Sequence, residues 1–155
     1  NFIINSGSRT FEAAAYLRKL GAETATVRGF FANSIDDYRL RSKIVAEAEI
    51  YKDCAISRSQ IKGTNIQAVS AQAADEMLGI SGVNASFVIY SLEKETAISA
   101  RSFGAVNVQI IMEMLGGGGH LTMAAAQLKG VTSDEAELQL KAAIDKYYED
   151  KDEEE

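Results

Sequence analysis

The chain has 155 residues, 46% of them hydrophobic and 25% charged, which suits one globular domain or a small domain with part of a neighbour. Its formal net charge of -6 removes the broad basic field that long nucleic acids require, so a phosphate partner must be small or locally gripped. One cysteine (Cys54), one histidine (His120) and no apolar run of membrane length exclude a disulfide framework, a Cys/His zinc site and a membrane span within the sequence, and fit a reducing cytoplasm.

Asn1 to Ser8 lack the basic and apolar regions of a signal peptide, and no methionine starts the chain, so the N-terminus reads as a cut through a larger protein. Thr10 is placed to cap a helix over Phe11 to Leu20 that Gly21 stops. This segment is apolar or alanine-rich nearly all round and expects burial on most sides, more than so short a unit supplies from itself. A second short helix is predicted over Ala22 to Phe31. Ser34-x-x-Asp37 has the spacing of a capping box for a third helix, whose stripe is Leu40, Ile44, Ala48 and Tyr51 and which is suited to link two domains.

From about Tyr51 short strand-like runs alternate with helices, predicting a small mixed β-sheet flanked by helices, an α/β class. Cys54 to Ser57 is the candidate first strand. Ile66, Val69, Ala73 and Met77 mark one face of a helix ending at Gly79. Ala85 to Tyr90 and Thr96 to Arg101, joined by the charged turn at Glu93 to Glu95, should pair as a hairpin. Asn107 caps a helix with Val108, Ile111, Met112 and Leu115 on one face, ended by Gly116 to Gly119. Thr122 is then placed to cap an alanine-rich helix over Met123 to Leu128. Thr132-x-x-Glu135 is a capping box for a last helix, with Ala136, Leu140, Ile144 and Tyr147 inward, before a solvated acidic tail.

The strongest chemical signal is Gly116-Gly117-Gly118-Gly119-His120. Four glycines cost more backbone entropy than a helix cap requires, and a glycine run opening onto a helix lets backbone N–H groups approach a phosphate closely. The alternative is a flexible inter-helix linker, but linkers usually mix in serine and charged residues, so the cradle is the favoured reading. No Lys-Ser or Lys-Thr follows at P-loop spacing. His120 can donate a hydrogen bond to a phosphate oxygen, and Arg101, followed by Ser102 where the chain leaves a strand, offers a planar fork suited to phosphate or to an ion pair with a carboxylate. Ser102 with His120 has no evident orienting acid, and the scattered Asp and Glu show no metal-ligand clustering, so a binding surface fits better than an active site.

Ile98-Ser-Ala-Arg-Ser-Phe-Gly104, Asn107-Val-Gln109 and Gly116-Gly-Gly-Gly-His120-Leu-Thr-Met-Ala-Ala125 together resemble the C-terminal substrate-binding domain of the DHH phosphodiesterase superfamily. Gly7-Ser-Arg-Thr-Phe-Glu-Ala-Ala-Ala15 and Ala71-Gln-Ala-Ala-Asp75 look like its GdpP-type branch, membrane-anchored bacterial enzymes that hydrolyse cyclic-di-AMP. The resemblance implies that residues 1–49 are the last helices of a truncated DHH catalytic domain with an inter-domain helix, 50–149 the DHH-associated substrate-binding domain and 150–155 the acidic tail.

It implies substrate-phosphate binding by Gly117, Gly118, Gly119, His120 and Arg101, with Ser102 beside the arginine and Gly116, Asn107 and Thr122 flanking. No catalytic residue and no metal ligand falls in the chain. The family's two Mn²⁺ ions belong to an N-terminal domain that the sequence lacks, so the chain alone should be inactive. The implied partners are a cyclic or linear dinucleotide, the chain's own DHH domain and a second copy in a homodimer, without long duplex nucleic acid. The implied location is a cytoplasmic domain of a membrane-anchored protein. A short-oligonucleotide exonuclease or nucleic-acid-binding module of the same superfamily is the alternative.

Overall fold

The computed structural model describes residues 6–32, 34–59 and 65–154, so most of the segment read for a signal peptide lies outside the described residues. The chain forms two compact units, Asn1–Ile35 and Asp36–Glu155.

The first unit holds α1 (Ser8–Lys19) and α2 (Thr24–Gly29). Gly7, in an extended conformation, precedes α1, and the Thr10 amide donates to the Gly7 carbonyl at 3.0 Å, so Thr10 lies inside the first turn and is not the cap. The all-round apolar sequence is not buried within the chain: Phe11, Tyr16, Leu17, Leu20, Phe30 and Phe31 are all exposed.

The second unit begins with α3 (Ile35–Ala46), which ends earlier than its sequence stripe suggests. Ile44 is buried with Leu40 against it, whereas Tyr51 belongs to a strand, β1 (Glu49–Tyr51). A positive φ of 54° at Lys52 turns β1 back onto β2 (Cys54–Ser59), and Tyr51 registers with Cys54.

The connection from β2 through α4 (Ile66–Met77) to β3 (Ala85–Ser91) makes β2 and β3 parallel, because a helix crossover returns the chain in the same direction. β3 and β4 (Glu95–Ser102) form the expected antiparallel hairpin. α5 (Val108–Met114) starts at Asn107, whose Oδ1 accepts from the Gln109 amide at 3.1 Å.

The segment after the glycines departs from expectation. Gly118–His120 is a strand, β5, and Met123–Lys129 is a strand, β6, so Thr122 caps no helix. Strand β6 inserts between β4 and β5, giving the order β1-β2-β3-β4-β6-β5. Its side chains alternate exposed and buried, with Ala124, Ala126 and Leu128 inward. The open edge of β4 supplies the ladder hydrogen bonds that override the helical preference of an alanine run.

α6 (Ser133–Glu154) has the capping box: the Thr132 amide donates to Glu135 Oε2 at 2.9 Å, and the Glu135 amide donates to Thr132 Oγ1 at 3.2 Å. The helix runs through the acidic residues to Glu154. One sheet face packs on α5 and α6 around Phe87, Ile98, Ile111, Leu140 and Ile144, and the other packs on α3 and α4 around Val88, Tyr90, Val69 and Met77.

Candidate functional site

Residues directly opposite in adjacent strands share a sheet face. Arg101 of β4 registers with Met123 of β6, and Met123 registers with His120 of β5. Arg101 and His120 therefore project from the same face, two strand spacings or about 10 Å apart at the backbone. The next row down is Ser99, Ala125 and Gly118. On this face α4 covers β3 and β4 but leaves β6 open, with Met123, Ala125 and Gln127 exposed.

Arg101 is held from several sides. Its Nε lies 3.4 Å from Asp75 Oδ1 on α4, and its Nη1 donates to the Ala100 carbonyl at 2.9 Å and to Ser99 Oγ at 3.4 Å. The ion-pair reading of this arginine is met by Asp75, and none of these bonds uses Nη2. Burial raises the pKa of the nearby Tyr90 hydroxyl while the Arg101 charge acts against it.

The glycines divide their work. A Cβ on Gly117 would lie 2.2 Å from the Ala125 carbonyl oxygen, and one on Gly119 would lie 2.4 Å from that of Met123, so both allow β5 to press against the β6 backbone. Gly119 also has φ +152°, which L side chains rarely adopt. A Cβ on Gly118 would meet nothing within 4 Å. Its bareness serves no packing and leaves room on the Arg101 face. As β5 ends the sheet, one side of its backbone has no strand partner, while the Gly117 amide donates to the Met112 carbonyl at 2.8 Å. The run is an ordered edge strand seated on the end of α5.

The remaining expected residues brace this corner. Ser102 faces away from Arg101 and is buried, its Oγ donating to the Leu121 carbonyl at 3.2 Å and accepting from the Gly104 amide at 3.2 Å. The Ser102 amide donates to the Thr122 carbonyl at 3.0 Å, and the Val108 amide to that of Leu121 at 3.1 Å, which fixes the β5–β6 turn between the end of β4 and the start of α5. The Asn107 amide donates to Tyr147 Oη at 3.0 Å. The sequence carries no local signal that joins Asp75 or Met123 to this site: Asp75 sits on a helix far from Arg101 in the chain, and the alanines after Met123 favour a helix.

Burial, with the Asp53 charge, pushes the Cys54 thiol up to about 12, so it is no thiolate nucleophile. Among the described residues no group of three or more His, Cys, Asp or Glu is placed to hold a metal ion, so this donor set does not fit one. No helix among them is long and apolar enough to cross a membrane.

Helices on both faces of a mixed six-stranded sheet, with a glycine-rich edge strand and an arginine on one face, define a small α/β domain. Residues 54–150 match the family model described as the DHHA1 domain, and the chain belongs to that family. It is 52% identical over 150 residues to the cyclic-di-AMP phosphodiesterase PdeA of Listeria monocytogenes, covering 96% of this chain and 23% of that protein. It is 47% identical over 153 residues to the cyclic-di-AMP phosphodiesterase GdpP of Bacillus subtilis, with the same two coverages of 96% and 23%. The chain thus spans about a quarter of the length of these curated relatives, and the resemblance to the GdpP-type branch of the DHH superfamily is borne out. An exopolyphosphatase-related protein from Bacteroides fragilis shares the fold, with a TM-score of 0.77 at 20% identity, over 92% of this chain and 44% of that one.

Proposed function

We propose that this chain is the substrate-binding part of a manganese-dependent phosphodiesterase that hydrolyses cyclic-di-AMP or a related cyclic dinucleotide. The observation that carries the reading is the shared face of Arg101 and His120, with the bare Gly118 beside them. Arg101, locked by Asp75 through Nε, presents its remaining guanidinium edge to a phosphate oxygen, and His120 approaches from the other side of Met123. The outer edge of β5 adds backbone N–H groups that no neighbouring strand occupies.

These residues bind the phosphate, neutralise its charge and fix its direction. Ser102, Asn107 and Thr122 hold the corner that positions them, and Gly116 joins it to α5. In this reading the two Mn²⁺ ions are held by the DHH domain that the family resemblance implies, and this chain supplies the phosphate contacts. On this reading the chain alone should turn over no cyclic-di-AMP when Mn²⁺ is added, and measurable turnover would overturn that part of it. The curated relatives' names support the substrate class.

Titration calorimetry of the chain with the linear adenine dinucleotide tests the reading. Arg101→Lys should weaken binding roughly tenfold, the loss of a charge-assisted contact from a planar group that Asp75 orients. Unchanged affinity in Arg101→Lys, His120→Ala and Gly118→Val together would make the glycine run a purely structural edge. Tighter binding of a short oligonucleotide than of the dinucleotide would favour the exonuclease alternative.

A further inference from the structure

The open face that holds Arg101 and His120 continues down the sheet into a cavity of about 350 Å³. The row of Tyr90, Ala97 and Gln127 crosses its floor, two residues along the strands below the row of Ser99, Ala125 and Gly118. Gly116, Gly117 and Ala125 line its β5–β6 side, and Gln67, from the first turn of α4, forms the opposite wall. The volume falls within the range of small-ligand sites.

We propose that this cavity is a nucleobase slot that reads an adenine edge through the side-chain amides of Gln127 and Gln67. The inference rests on the phosphate-binding reading and extends it to the base. From Arg101 to Ala97 is four residues of strand, about 13 Å, a span that a nucleoside monophosphate bridges with its phosphate at the upper row and its base at the lower. Ser99, Ala125 and Gly118 put only small groups under the sugar between them.

The lining decides which base. A glutamine amide places a donor and an acceptor side by side, the pattern that pairs with the amino group and ring nitrogen of adenine. Guanine presents two acceptors on its Hoogsteen edge, which call for a bidentate cation, and one acceptor with two donors on its Watson–Crick edge, where an amide meets only O6 and N1–H and the donor pair calls for a carboxylate. Among the described residues that line the cavity there is no carboxylate, and the one cation, Lys129, carries a single ammonium. Gln67 and Gln127 are both exposed, so neither amide is consumed by the core.

The test uses 5′-AMP, 5′-GMP and ribose 5-phosphate as probes of the full chain, followed by amide and side-chain NMR signals. The expected result is that AMP shifts the signals of Gly116, Gly117, Ala125 and the Gln127 side-chain amide, which ribose 5-phosphate leaves in place. AMP should bind roughly tenfold tighter than GMP, and Gln127→Leu combined with Gln67→Leu should remove that preference. AMP shifts confined to Arg101 and His120, or an AMP preference that survives the double change, overturn the slot. Arg101→Lys should weaken all three probes alike. If it weakens none while AMP still selects the slot signals, the phosphate reading fails and the base slot stands.

Discussion

Arg101 and His120 are both register partners of Met123, one across the β4–β6 ladder and the other across β5–β6. Met123 is therefore the side chain between the two proposed phosphate contacts, and it is 49% exposed. Met123→Glu should place a carboxylate between them and lower dinucleotide affinity at least tenfold, an expected loss on the order of a single charge-assisted bond. The melting temperature should stay near that of the unmodified chain, since the site is half open. Calorimetry and a thermal melt check both parts.

Gly117 and the two glycines of β5 should separate fold from binding. Gly117→Ala and Gly119→Ala drive a Cβ into the Ala125 and Met123 carbonyls at 2.2 and 2.4 Å, and should each cost about 1–3 kcal/mol of stability as overpacking. Gly118→Val meets open space and should fold normally while losing phosphate binding. Denaturant unfolding of the three variants, beside their binding, measures the separation. A Gly118→Val protein as unstable as the other two would contradict it.

Acid should loosen the attachment of α6 to the β1–β2 turn. Burial opposes ionisation of Asp53, but hydrogen bonds from Tyr148 and Asn84 outweigh it and hold the carboxyl below the ordinary range. Lys52, 2.8 Å away, and the Tyr51 hydroxyl hold the Asp145 carboxyl down in the same way. A carboxylate whose folded pKa is depressed adds stability above its unfolded value of about 3.9 and loses it as pH falls through the folded value. Stability should therefore be flat near neutrality and fall below about pH 4. Asp53→Asn should make that fall shallower and lower stability at pH 7 by on the order of 1 kcal/mol after solvent screening. Urea unfolding at both pH values is the check.

The first unit presents Tyr16, Leu17, Leu20, Phe30 and Phe31 at 63%, 54%, 67%, 79% and 77% exposure. So many large apolar side chains in one small unit favour association at high concentration. Sedimentation velocity should show concentration-dependent oligomers, and replacing Leu20, Phe30 and Phe31 by serine should reduce them. A chain that stays monomeric throughout the range would count against the expectation.

Where the controlling interactions are local, the sequence by itself determined the outcome. The face of α4 follows from Ile66, Val69, Ala73 and Met77 because side chains three and four apart share a helix side. The start of α5 follows from Asn107 and that of α6 from Thr132 and Glu135, because each cap bonds within three residues. The arginine, the histidine and the glycine run were legible as chemistry for the same reason. Only the tertiary structure decided that Met123–Lys129 is a strand. Methionine and three alanines give no period-two contrast and favour a helix, but the unpaired edge of β4 offered a full ladder and Ala124 and Ala126 fitted the narrow space under α5. That pairing put Arg101, Met123 and His120 in one row and brought Asp75 to the guanidinium. Contacts between such distant segments depend on which sheet edge is free when they meet, which no window of sequence records.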